Sequence, residues 1–335
     1  MAVIALSLAC LGLLVAVGLA VFSRHVARKV EAALPPLGQF LDLGDTRIHY
    51  LDEGAGPPIV LVHGLGGQMR NFTALRQALQ RHGYRTISID RPGSGHSTRP
   101  WNAPAGPRAQ ARILAEILQR LGLARPLILG HSLGGAVALA LALDFPDAAG
   151  GLVLLAPATQ PQADVPAPFR RLAIRSPLLR RLAAWTIAVP LGIAQGKATL
   201  QAVFAPEHPP GDFPFTGGGL LSLRPTAFHA ASTDLIAANG DMRGLIERYA
   251  ALRLPVGVLF GTADQILDCE RHALPLSGQI ASVELELVEG AGHMLPVTCV
   301  DAVVTLVDRI GTRVEAYDGP ATDHEPLQAA QEMTR

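Results

Sequence analysis

Charge is scarce along this chain: 17% of its 335 residues are Asp, Glu, Lys or Arg, and the two signs balance at 28 each. A net charge of zero offers no footprint for a phosphate backbone, so nucleic acid is not expected as a partner. Cysteine is scarcer still. The three present cannot build a disulfide scaffold, and none sits in a CxxC or Cys/His spacing that would hold zinc. Neither a metal nor a cofactor is implied. Aromatic residues make up 5%, yet 49% of the chain is hydrophobic, well above the content of a disordered protein. The length suits one main core carrying an insertion.

Between Ala2 and Phe22 charge is absent altogether. About 20 apolar residues in a helix cross a hydrocarbon core, so residues 1–23 are expected to be a transmembrane anchor. A cleaved signal peptide is the rival, and Gly18-Leu19-Ala20 offers it small residues at suitable spacing. Such peptides open with a basic region and have a shorter apolar stretch, whereas Met1-Ala2-Val3 is uncharged. Arg24, Arg28 and Lys29 follow the run, which by the bias of basic residues predicts a single-pass protein with its main domain on the cytoplasmic side. Residues 24–38 are expected to be a basic flank and a stiff linker, because Pro35-Pro36 cannot continue a helix.

From residue 40 to 51 apolar residues alternate around Gly44-Asp45, which predicts a hairpin at a sheet edge. Continuous apolar runs at 59–62, 86–89, 127–129 and 152–155 suit strands buried on both faces. Helical patterns at 72–80, 108–121 and 136–143 separate them. Later strands at 256–260 and 283–288 and a closing helix at 300–310 resume the rhythm. Strands alternating with helices predict an α/β fold with a mostly parallel sheet covered by helices on both faces. The core is expected at 39–156 and 255–312. Between 157 and 254 the alternation lapses into proline, arginine and short apolar clusters, so an insertion is expected there, and residues 313–335 read as a disordered tail.

Gly130-His131-Ser132-Leu133-Gly134 lies directly between the strand at 127–129 and the helix at 136–143. A GxSxG motif in that setting makes a nucleophile elbow, with the serine on a tight strand-to-helix turn. A serine hydroxyl needs a base to take its proton. His293, in Gly290-Ala291-Gly292-His293-Met294 between the last strand and the last helix, is the best-placed histidine. Asp264, after the strand at 256–260, is the candidate to orient it, with Asp268 its nearest competitor. The order Ser132, Asp264, His293 is that of the fold in which such elbows occur. Oxyanion donors are expected from the amides of Leu133 and of Leu65, the latter in the His63-Gly64-Leu65-Gly66-Gly67 loop. His63, His96 and His131 read as structural, and Asp90 as a brace for the Arg91-Pro92-Gly93 turn.

With these residues assembled, residues 40–310 resemble the α/β-hydrolase superfamily, in its lid-bearing esterase, lipase and meta-cleavage-product hydrolase branch. The resemblance rests on the His63 loop, Asp90-Arg91-Pro92-Gly93-Ser94-Gly95-His96-Ser97, the elbow, Asp264 and Gly292-His293. It implies a cofactor-free Ser-His-Asp mechanism and makes the insertion a lid. Haloalkane dehalogenases and epoxide hydrolases of that superfamily carry aspartate at the elbow, so Ser132 argues against both activities. Carbon–carbon hydrolases often have asparagine where this chain has His131, which tilts the expectation towards an ester. Cofactor-free haloperoxidases share the triad and stay open. So does a non-catalytic ligand-binding member of the fold.

Two further expectations concern the insertion and the thiols. Arg170, Arg171, Arg175, Arg180 and Arg181 among leucines and Trp185 suggest a helix that either lies on a membrane and admits an apolar ester or lipid, or packs over the site with its arginines in solvent. Cys269 and Cys299 follow Asp264 and His293 by a few residues. A bridge between them would need an oxidising compartment, so for a cytoplasmic domain two buried thiols are expected.

Overall fold

Strand runs buried on both faces form the middle of an eight-stranded sheet. The computed structural model describes residues 1–162 and 164–317. Its order of elements begins with α1 (Ala2–Ala33) and the hairpin β1 (Gln39–Leu43) and β2 (Thr46–Glu53), turned at Gly44 with φ +60°. Then come β3 (Pro58–Val62), α2 (Thr73–Arg81), β4 (Arg85–Ile89), α3 (Pro107–Arg120), β5 (Leu127–His131), α4 (Leu133–Asp144) and β6 (Gly151–Leu155). The insertion contributes α5 (Pro177–Trp185), α6 (Ala188–Phe204), α7 (Phe213–Thr216) and α8 (Pro225–Ile246). The core closes with β7 (Val256–Gly261), α9 (Cys269–His272), α10 (Leu274–Gln279), β8 (Val283–Val288), α11 (Leu295–Thr298) and α12 (Val300–Glu315).

The strands lie in the order β1-β2-β4-β3-β5-β6-β7-β8. The pairs β1/β2 and β2/β4 are antiparallel; from β4 to β8 every neighbour is parallel. After β3 the chain goes first to one side, to β4, and then to the other, to β5. The connections leaving β3 and β5 therefore part at the carboxyl ends of adjacent strands, where open α/β sheets form their ligand crevice. Both glycine motifs of the sequence sit at that divide.

Helix identity follows from which faces are covered. Every residue of α4 from Leu133 to Leu143 is buried, and a helix apolar all round belongs in a core. In α12 the apolar stripe Val303, Val304, Leu306, Val307 and Ile310 packs on the sheet, and its polar side faces water. Gly257 in β7 gives that stripe room: a Cβ there would come within 2.6 Å of Ile310.

Three boundaries differ from those expected. The helix α4 begins at Leu133, three residues early, because β5 absorbs Gly130 and His131 and leaves Ser132 alone as the turn. The helix α12 runs on to Glu315, claiming the start of the expected tail through Val314, which packs against the core; residues 318–335 of that expectation lie outside the described residues.

The largest correction concerns residues 24–38. Nothing between Ser23 and Ala33 breaks a helix, so α1 continues for 32 residues and ends where Leu34 precedes Pro35. The last turns are not a free linker. Val26, Val30 and Leu34 pack on Leu220, Leu221 and Leu223 of the insertion. His96 and Arg70 donate to the carbonyls of Leu34 and Pro35 at 3.0 and 2.8 Å, and Arg224 pairs with Glu31 at 3.3 Å. By length and composition α1 is a candidate membrane span.

Candidate active site

Ser132 has φ +54° and ψ −119°, a backbone conformation that a residue with a side chain holds only when its surroundings dictate it. The surroundings do so. Its amide donates to Leu155 O at 2.9 Å, and its carbonyl accepts from Gly135 and Ala158 at 2.9 and 3.0 Å. The flanking glycines are required sterically: a Cβ at Gly130 would stand 2.6 Å from Gly134 O, and one at Gly134 would overlap the carbonyl of Val62. The turn thus presents the Ser132 side chain at the carboxyl edge of the sheet, with the amino end of α4 behind it.

Across the crevice, His293 Nδ1 lies 2.7 Å from Asp264 Oδ2, and both side chains are buried. A carboxylate only accepts, so Nδ1 carries the proton and Nε2 is left as an acceptor. The other carboxyl oxygen of Asp264 takes the amides of Ile266 and Leu267 at 2.7 and 3.0 Å. Burial pushes the Asp264 carboxyl up, but His293 and the two amides outweigh it and hold it below the usual carboxylate value. Asp268, the competitor, instead caps α9 by accepting from the Arg271 amide at 2.9 Å.

Small residues let the histidine loop approach. A Cβ at Gly261 would overlap Ala291 O, and one at Gly292 would overlap Ala205 O. Glu207 from the insertion accepts the Gly292 amide at 3.0 Å, a contact that joins the histidine loop to the insertion and that sequence reading missed.

The loop after β3 runs directly over the elbow: a Cβ at Gly64 would lie 2.9 Å from Ser132 Cβ. Leu65 follows, and Leu133 is the first residue of α4, so its amide has no intrahelical acceptor. His63 shapes this loop, as expected. Its Nδ1 donates to Gly64 O at 2.8 Å, and its Nε2 accepts the Arg91 amide at 3.0 Å. The Arg91 guanidinium, buried to 1% exposure, adds bonds to the carbonyls of His63 and Gly64, both at 2.8 Å. It also binds Gln110 at 2.6 Å and Asp234 of α8 at 2.7 Å; Arg99 shares Asp234 at 2.7 Å. Asp90 braces the same turn, accepting from His49, Met69 and His96.

Ser132, His131, His293 and the Leu65 loop line one cavity of about 780 Å³, roofed by the insertion through residues such as Leu172, Ile193, Leu200 and Phe213. Its walls are mainly apolar, as in sites that take hydrophobic ligands. His131 does not compete with His293. Its Nε2 bonds to His293 O at 3.0 Å, which makes it a support for that residue's backbone. Cys269 and Cys299 are free and only partly buried, so the two thiols are less covered than expected.

Burial holds three histidines neutral. His63 and His131 are lowered to about 3, with Arg91 and His293 adding to the effect, and His272 to about 4, with Arg271 adding. The unfolded chain takes up protons on each below pH 6.5, while the folded chain resists until pH 3 to 4. Stability is therefore full above pH 6.5 and falls as pH drops towards 4, by about 1.4 kcal/mol per pH unit for each histidine. Urea midpoints at pH 7 and pH 5 measure this, and equal midpoints would contradict it.

The alpha/beta hydrolase fold family model matches residues 57–298. An uncharacterized protein of Mycobacterium tuberculosis is 30% identical over 308 residues, covering 88% of this chain and 87% of that protein. Lipase 1 of Psychrobacter immobilis is 28% identical over 270 residues, covering 77% and 78%. Among solved structures, a thermophilic esterase from Thermogutta terrifontis superposes with a TM-score of 0.67 at 23% identity, covering 83% of this chain and 99% of its own, a likeness of fold. The family match runs from β3 through the insertion to α11, and the chain belongs to the α/β-hydrolase family.

Proposed function

We propose that this chain is a membrane-anchored serine hydrolase that cleaves the carboxylic ester of an apolar acyl group, with Ser132 as nucleophile, His293 as base and Asp264 as its orienting partner. One observation carries the reading. A serine forced into a left-handed turn shares an apolar cavity with a histidine whose distal nitrogen is held by a buried carboxylate.

In this scheme His293 Nε2 takes the proton from Ser132 Oγ as it attacks the ester carbonyl. The amides of Leu65 and Leu133 hold the oxyanion of the tetrahedral intermediate. The imidazolium, stabilised by Asp264, then protonates the departing alcohol. Water enters by the reverse sequence and frees the acid and Ser132. The insertion is the lid over this chemistry, and α1 holds the protein in the membrane. Arg24, Arg28 and Lys29, exposed at the end of the apolar run, support a cytoplasmic side for the catalytic domain.

Incubation with a fluorophosphonate probe and with short and long p-nitrophenyl esters tests the reading. Wild type is expected to be labelled and to turn over the esters, and Ser132→Ala to do neither. A wild type that is folded yet unlabelled and silent across the ester panel would leave a non-catalytic member of the fold as the better account.

A further inference from the structure

The helix α5 is turned inside out for a protein surrounded by water. Arg180 points inward, 5% exposed, and donates to Ile174 O, Ser232 Oγ and Thr233 Oγ1 at 2.8 to 3.1 Å. That satisfied guanidinium fixes the rotation of the helix and drives its leucines outward. Leu178 is 79% exposed, Leu179 59% and Leu182 56%; Trp185, Ile187 and Leu191 continue the same apolar face into the start of α6. Of the two arrangements expected here, packing over the site with every arginine in solvent is not the one found: Arg180 is inside and the leucines of α5 face outward. An unpaired apolar face of this extent marks a contact surface.

Its position says what covers it. The helix α1 packs against α5, α6 and α8. On α1 the side turned to the domain begins within the uncharged run, with Ala16, Leu19 and Ala20 half-buried, and continues through buried Ser23 to Val30. At about 1.5 Å per residue, the domain overlaps the final ~9 Å of the apolar run. When that run lies in hydrocarbon, the α5 face beside it reaches the boundary between headgroups and acyl chains, the depth of interfacial helices. Exposed basic side chains flank these segments along the chain: Arg24, Arg28 and Lys29 on α1, and Arg170, Arg175 and Arg181 before and within α5. They complement anionic headgroups.

We infer that α5 and the first turn of α6 form a second membrane contact, an apolar apron seated in the surface of an anionic bilayer beside the anchor. The same α6 lines the cavity through Gly192, Ile193 and Gly196, so the apron sets the cavity wall against the acyl-chain layer. An apolar ester then passes from the bilayer to Ser132 without crossing water. This last consequence rests on the ester-hydrolase reading; the contact itself does not.

The two tryptophans, Trp101 and Trp185, make the test direct. In the full-length Trp101→Phe protein, Trp185 is the sole reporter. Reconstituted in vesicles of phosphatidylglycerol and phosphatidylcholine, it is expected to emit at shorter wavelength than in the urea-unfolded chain and to be quenched by lipids brominated on their acyl chains. Emission like that of the unfolded chain, without quenching, overturns the inference. Blue-shifted emission without quenching, together with chemical cross-linking of two copies, also overturns it in favour of a dimer contact. The double variant Leu178→Glu/Leu182→Glu supplies a functional reading. Hydrolysis of a soluble short ester is expected to be unchanged, while hydrolysis of an ester embedded in the vesicles falls about tenfold. Equal activity on both counts against the apron. Loss of all ester hydrolysis in the wild type, with quenching retained, would remove the ester reading and leave the contact standing.

Discussion

Ser132→Ala is expected to lower kcat for a carboxylic ester by about 10⁶, and Asp264→Asn by about 10⁴, with KM changed little in either. On the proposed mechanism the first removes the only atom that bonds covalently to the substrate; what remains is the field of the two amides and the orientation given by the cavity. The second acts through geometry particular to this site. The amides of Ile266 and Leu267 both point at one carboxyl oxygen, and His293 Nδ1 faces the other. The single oxygen of an asparagine satisfies the two amides, which turns its NH₂ towards His293. Nδ1 must then accept, the proton moves to Nε2, and the base can no longer take the proton of Ser132. The fold survives, because every backbone bond to the side chain is kept. The Ser132→Ala/Asp264→Asn double variant is expected to be no worse than Ser132→Ala alone. Asp268→Asn keeps an N-cap and is expected to cost less than tenfold. Steady-state kinetics on purified variants decides, and Asp264→Asn within tenfold of wild type would sink the assignment.

How much of this was legible beforehand differed by distance along the chain. Local features were plain: Gly130 to Gly134 between an apolar run and a helical pattern announced the turn, because a tight turn needs glycine at defined offsets. The parallel sheet followed from runs too apolar to have a wet face, and His293 followed from small residues in a loop at the correct sheet edge. Contacts between distant segments were invisible. Asp90-Arg91-Pro92-Gly93 stood out, but Asp234 lies 143 positions further on in the insertion, where no periodicity ties it to Arg91. Glu207 was hidden for the same reason. The rotation of α5 stayed open between two readings because a helical pattern of arginine and leucine does not say which side is outside. That depends on acceptors at Ile174, Ser232 and Thr233, which only the tertiary fold brings to Arg180. The extension of α1 was misjudged because Pro35-Pro36 marks where a helix ends without showing that Val26, Val30 and Leu34 have a partner surface.

Arg91 and Asp234 give the second large effect, because they couple two tasks in one buried pair. Both side chains are 1% exposed. Removing Asp234 leaves Arg91 and Arg99 charged without their carboxylate in a dry interior, and removing Arg91 leaves Asp234 to Arg99 alone and strips the buried carbonyls of His63 and Gly64 and the Gln110 side chain of their donor. Arg91→Leu and Asp234→Leu are each expected to destabilise the protein by about 3 to 5 kcal/mol, while the double variant recovers part of the loss, since a hydrophobic pair avoids the desolvation of the ions. Arg99 faces the same carboxylate, so recovery is incomplete. Activity should not follow stability. The guanidinium also holds the carbonyls of His63 and Gly64, the two residues before Leu65, whose amide is the proposed oxyanion donor. Whatever replaces the ion pair, a variant without Arg91 loses those bonds, and kcat is expected to stay about 10²-fold low with KM near wild type, the size of one misplaced oxyanion donor. Asp234→Leu keeps Arg91 on both carbonyls and should retain most of its kcat where it is folded. Thermal midpoints and kinetics on the four proteins of this cycle separate a positioning role from a purely structural one. If kcat in the double variant rises in step with its midpoint, Arg91 serves the fold alone.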